Sequence, residues 1–91
     1  MSILVSSTAD TAFVETNKIG FIISYYDEEN FYKINSQFPH ILHIILTPEK
    51  TNDVLTQMYA TIKVSVKNVL ILTPNPENTE LVEMFHARFD Q

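Results

Sequence analysis

Four short apolar runs constrain this chain more than any other feature: Ile3–Val5, Ile19–Ser24, Ile41–Leu46 and Val69–Leu72. Each is rich in Ile, Leu or Val, and none alternates strictly with polar residues. Strands buried on both faces read this way, because a parallel sheet is covered by helices above and below. The stretches between the runs carry helical spacing instead. Asp27 is placed to cap a helix starting at Glu28, with Phe31, Ile34 and Phe38 on one face and Pro39 closing it. Thr47 with Pro48 has the form of an N-cap and a first helical position, and Val54, Leu55, Met58 and Ile62 share a stripe. Asn75 with Pro76 repeats that signal ahead of Leu81, Phe85 and Phe89. The first interval is weaker: Ser7 and Asp10 have capping-box spacing, compatible with one or two turns through Phe13 and Val14.

This pattern predicts one small, soluble α/β domain over residues 1–91. It has three layers and a mostly parallel four-stranded sheet with βα repeats. Strands are expected near residues 3–6, 19–25, 41–46 and 69–73, with helices after the last three. An internal echo fits the repeats, since Ile44-Ile45-Leu46-Thr47-Pro48 recurs as Leu70-Ile71-Leu72-Thr73-Pro74, 26 residues later. Thr-Pro is also a common way to leave a strand, so the echo has that explanation as well. Residues 62–67 read two ways. Ile62, Val64 and Val66 alternate with Lys63, Ser65 and Lys67, as in an edge strand. The preferred reading is a helix to about Val64 and then a loop. At 91 residues the chain has room for one core and little stability to spare.

Charge and missing residue types bound the chemistry. Six Lys and Arg face eleven Asp and Glu, a net charge of −5, and the cations are scattered. Nucleic acid and anionic membranes call for a basic patch, so neither is expected as a partner. The absence of cysteine removes disulfides, thiolate metal sites and a Cys nucleophile. The run Ile41–Leu46 is six residues long, whereas a membrane span needs about 20. With no signal-peptide pattern at the N-terminus and no cysteine, a cytoplasmic setting is slightly favoured. The only glycine, Gly20, lies inside or before a strand, and Pro48 and Pro76 remove backbone donors. No phosphate loop and no nucleotide cofactor are therefore expected. His40 and His43 fall on opposite faces of a predicted strand, and Asp27, Glu28 and Glu29 lack the spacing of a calcium loop, so no metal is expected.

Ligands of open α/β sheets bind beyond the C-terminal ends of the strands. Here Ser7, Thr8, Tyr26, Asp27, Thr47 and Thr73 form a hydroxyl-rich rim, the candidate site for a small polar ligand. The same residue types cap helices and make turns in any protein. No serine sits in a glycine-flanked elbow, and the balance is against an enzyme. The sheet edges are a second candidate. A four-stranded sheet leaves two of them, and no Lys or Pro interrupts Ile19–Ser24, Ile41–Leu46 or Val69–Leu72. Tyr25, Tyr32 and Tyr59 are the aromatics suited to such an interface, with a protein partner or a second copy as the occupant. The alternative is a monomer in which residues 62–67 cover one edge and the N-terminal strand lies in the middle.

The last third carries a resemblance. Val54-Leu55-Thr56-Gln57-Met58-Tyr59, then Lys67-Asn68-Val69-Leu70-Ile71-Leu72, then Leu81-Val82-Glu83-Met84-Phe85-His86-Ala87-Arg88-Phe89 resembles part of the N-terminal extracellular region of insect ionotropic chemosensory receptors. The shared features are an amphipathic helix, an Asn-Val-led apolar strand, and an apolar-aromatic segment ending near a Phe. A Cys commonly follows that Phe in the family, and this sequence has none. The resemblance implies a non-enzymatic outer module or fragment of a receptor-like protein and carries over no ligand-binding residue. The functional expectation is accordingly a protein-interaction or binding module. The alternative is a small enzyme or small-molecule-binding domain using the rim.

Overall fold

Each apolar run becomes a strand and each interval a helix. The computed structural model describes residues 2–77 and 79–89, the side chains of residues 59, 63, 65, 79 and 89 excepted. In chain order the elements are β1 (Ser2–Ser6), α1 (Thr11–Thr16), β2 (Phe21–Ser24), α2 (Glu28–Gln37), β3 (Leu42–Ile45), α3 (Pro48–Ser65), β4 (Asn68–Leu72) and α4 (Thr79–Phe89). The strands form one sheet in the order β1-β4-β2-β3, and every neighbouring pair is parallel. The expected α/β class and four-stranded parallel sheet are both present.

Strand residues alternate between two cores because successive side chains leave a strand on opposite sides. Phe21, Ile23, Val69 and Ile71 pack with Leu55 and Ile62 of α3 and Leu81 and Phe85 of α4. Ile22, Leu70 and Leu72 pack on the other face with Val14 of α1 and Phe38 after α2. Two covered faces make three layers, and they explain why β2 and β4 are apolar at consecutive positions.

Several boundaries differ from expectation, each for a local reason. The capping residue of α1 is Asp10, whose Oδ1 accepts the Phe13 N–H at 2.7 Å; Ser7 stays in the loop. β2 starts at Phe21, not at residue 19, because the Ile19 N–H bonds the Val14 carbonyl at 3.1 Å and so closes α1. β3 starts at Leu42 because the Ile41 N–H bonds the Phe38 carbonyl at 3.2 Å, which leaves His40 outside the strand. The second Thr-Pro does not open a helix as the first does. Thr73 Oγ1 accepts the Asn75 N–H at 3.2 Å, making a turn, and α4 begins at Thr79. β1 lies at an edge of the sheet and not in its middle. Residues 62–65 are helical, so no strand covers the other edge there.

Candidate functional site

The strand order determines where clefts open. β1 and β2 feed helices α1 and α2 on one face, while β3 and β4 feed α3 and α4 on the other. Read across the sheet, neighbouring strands therefore send their connections to opposite faces, which is the arrangement that opens a crevice beyond the strand ends. Two such crevices open among the described residues. The first, about 290 Å³, lies between the loop after β1 and helix α2, over Leu72 at the end of β4. Ser7, Thr8, Tyr26, Asn30, Lys33 and Gln37 line it. The second, about 230 Å³, lies on the opposite face and is lined by Tyr25, Thr73, Glu80 and Met84 with Pro48 and Pro74.

The predicted rim is thus divided by the sheet. Ser7, Thr8 and Tyr26 come together in the first crevice, where the Tyr26 hydroxyl donates to the Ser7 carbonyl at 2.8 Å. The Ser6 hydroxyl holds that loop, donating to the Thr8 carbonyl at 2.7 Å and accepting the Thr8 N–H at 3.1 Å. Thr73 belongs to the second crevice. Asp27 lines neither: its Oδ1 accepts from the backbone N–H of Asn30 at 3.0 Å and from Asn30 Nδ2 at 2.9 Å, as an N-cap does. Thr47 is an exposed N-cap that makes no side-chain cap bond. In the first crevice the lining offers one ammonium, amides and hydroxyls, groups that hold a polar ligand.

Adjacent tyrosines serve opposite faces. Tyr25, expected at an interface, is half-buried: it packs against the core under α3 and α4 and lines the second crevice. The Thr51 hydroxyl donates to the Thr47 carbonyl at 3.0 Å, so the 2.7 Å contact between Tyr25 Oη and Thr51 Oγ1 has Tyr25 as donor. Burial pushes the Tyr25 pKa up to about 12, opposed by the bond to Thr51. Thr51 is fully buried and was missed in the sequence; its place one turn before Leu55 on the apolar stripe was the available signal. Tyr59 has a side chain outside the described residues.

The outer edge of β3 is the third feature. Leu42 is 52% exposed, Ile45 38% and Tyr32 64%. Tyr32 meets Phe31 edge-on, with ring centroids 5.5 Å apart. Phe31 in turn lies over His43 of β3 at 4.3 Å, so the exposed Tyr32 is joined to the strand through two rings. Burial under Phe31 lowers the His43 pKa to about 4, and neither ring nitrogen has a hydrogen-bond partner among the described residues. The backbone is asymmetric here. The register with β2 and the 2.8 Å bond from the Leu46 N–H to the Ser24 carbonyl turn residues 42, 44 and 46 towards β2. The N–H and C=O groups of His43 and Ile45 consequently point outward, where no strand lies beside them among the described residues.

Among the described residues no group of three or more His, Asp or Glu is placed to hold a metal ion, and no helix is long and apolar enough to cross a membrane. No protein-family model, no curated protein and no solved structure matches the chain.

Proposed function

We propose that this chain is a protein-interaction module that docks through the outer edge of β3. One observation carries the reading: the outward backbone groups of His43 and Ile45 are framed by exposed Leu42, Ile45 and Tyr32. Strand addition to such an edge draws affinity from main-chain hydrogen bonds and specificity from the alternate side chains. Sheet edges are ordinarily defended by charge or proline. Residues 34–48 contain no Asp, Glu, Lys or Arg, and the prolines at 39 and 48 lie outside the strand. The resemblance of the last third to the outer region of insect ionotropic receptors points the same way, towards a non-enzymatic module.

Photo-cross-linking from position 42, with position 2 on the opposite edge as control, tests this in extract of the source organism. A product specific to position 42 that disappears when Ile45→Lys is added supports the reading. Equal labelling from both edges, or none from position 42, overturns it.

A second reading rests on the convergence of Ser7, Thr8, Tyr26 and Lys33 on the first crevice. There the chain binds a small molecule bearing one negative charge. A screen of small carboxylates by ligand-detected NMR tests it, and binding that survives Lys33→Ala counts against it.

A further inference from the structure

We infer that the occupant of the β3 edge is a second copy of this chain, paired antiparallel about a two-fold axis through Ile44. The inference rests on the docking reading above and names the partner.

The argument is one of hydrogen-bond closure. His43 and Ile45 each turn an N–H and a C=O outward. In an antiparallel ladder, two residues that face one another either exchange both bonds or exchange none, in alternation along the strand. With the axis at Ile44, His43 of one copy faces Ile45 of the other and the reverse. All four outward groups of each copy are then paired. Moving the axis breaks this. An axis at His43 sets Ile45 against Ile41, whose N–H is already given to the Phe38 carbonyl at 3.2 Å. An axis at Ile45 sets His43 against Thr47, whose carbonyl already accepts the Lys50 N–H at 3.1 Å. Only the Ile44 register uses groups that are free.

Side chains follow the same register. On the face of α2, each exposed Ile45 comes to lie beside the His43 of the other copy. On the face of α3, Ile44 meets Ile44 and each exposed Leu42 meets Leu46. Exposed Leu42 gains an aliphatic neighbour in Leu46, and exposed Ile45 lies against the imidazole of His43.

Charge selects the place. Two copies at −5 repel one another over most of their surfaces. The uncharged stretch from 34 to 48 is where they can approach. The antiparallel register also brings the Glu49 end of one β3 towards the His40 end of the other, so acid does not face acid. The opposite edge offers less exposed apolar surface: Ile3, Leu4 and Val5 of β1 are all half-buried, whereas Leu42 and Ile45 of β3 are exposed. Joining β1 of one copy to β3 of the next would in addition build an open filament, whereas the two-fold pair is closed.

Sedimentation equilibrium over a series of micromolar concentrations, joined to cysteine cross-linking, tests the inference. The wild-type chain is expected to move from 10.5 kDa towards twice that mass and stop there. Ile45→Lys, at an exposed position, is expected to remain a monomer throughout. The chain has no cysteine of its own, so single substitutions report cleanly. Ile44→Cys places two sulfurs across the axis and is expected to give a covalent dimer on mild oxidation. Leu42→Cys places them several residues apart and is expected not to. A wild-type chain that stays at 10.5 kDa overturns the second copy as occupant, whatever position 42 cross-links to in extract. Association that survives Ile45→Lys, that grows past the dimer, or that links position 42 as readily as position 44 also overturns it.

Discussion

Lys18 stands in the left-handed region, at φ 51°, directly after Asn17, the C-cap of α1. Its N–H bonds the Glu15 carbonyl and the next N–H, of Ile19, bonds the Val14 carbonyl, which together make the double-bonded C-terminal cap usually built on glycine. Ile19 and Val14 are both buried in the same core, so the cap is also an apolar contact. Asn68 adds to it by donating from Nδ2 to the Asn17 carbonyl at 2.9 Å, tying the start of β4 to the end of α1. A lysine there has a side chain close to its own backbone, so Lys18→Gly is expected to stabilise the fold by roughly 0.5–1 kcal/mol, read as a rise in thermal midpoint. His43 gives a second expectation. Its folded pKa of about 4 lies below its ordinary 6.5, so the unfolded chain binds a proton that the folded one refuses. The associated stability is present above about pH 6.5 and falls through the window between 6.5 and 4. Urea midpoints measured at pH 7 and pH 4.5 should separate for the wild type and close up in His43→Leu.

At the scale of the element, α3 shows what hydrophobic pattern alone leaves open. Ile62, Val64 and Val66 alternate as a strand would, but the helix runs to Ser65 and its phase separates them. Ile62 is buried, Val66 is partly so, and Val64, two residues round the helix, is 88% exposed. Val64→Lys is therefore expected to change unfolding free energy by no more than about 0.5 kcal/mol, whereas Ile62→Ala should cost about 2–4 kcal/mol, both read by denaturant titration. β2 and β4 were legible because burial on two faces leaves apolar runs that no helix of this length would carry. The capped helices α2 and α3 were legible because Asp27 and Thr47-Pro48 act locally. The start of α4 was not, since Thr73 and Asn75 make a turn with the same residue types that make a cap. The grouping of Ser7, Thr8 and Tyr26 away from Thr73, with Asp27 and Thr47 lining neither crevice, was not legible, because division between the faces depends on strand order. That order joins residues far apart in sequence, as in the contact of Ser2 with Asn68. The Tyr25–Thr51 bond is of the same kind, spanning two elements that chain periodicity does not relate.

For the whole molecule, net charge and sheet order matter most. A chain at −5 resists its own copy through a field that dissolved salt screens within about 10 Å at 0.1 M. Self-association through the uncharged β3 edge is therefore expected to strengthen as sodium chloride is added, with backbone bonds and apolar cover unchanged. Sedimentation in a salt series checks this, and weaker association at higher salt would point to an ion-paired interface elsewhere. The order β1-β4-β2-β3 also sets a timetable. Among the described residues β1 has β4 as its only neighbour, and β4 alone connects it to β2. A ribosome delivers the first three strands before the one that joins them exists. Until residues 68–72 emerge, β2 can hold β3 while β1 waits without a partner. The last of the four strands in chain order goes into the interior of the sheet, so during synthesis the sheet is complete only once residues 68–72 are out.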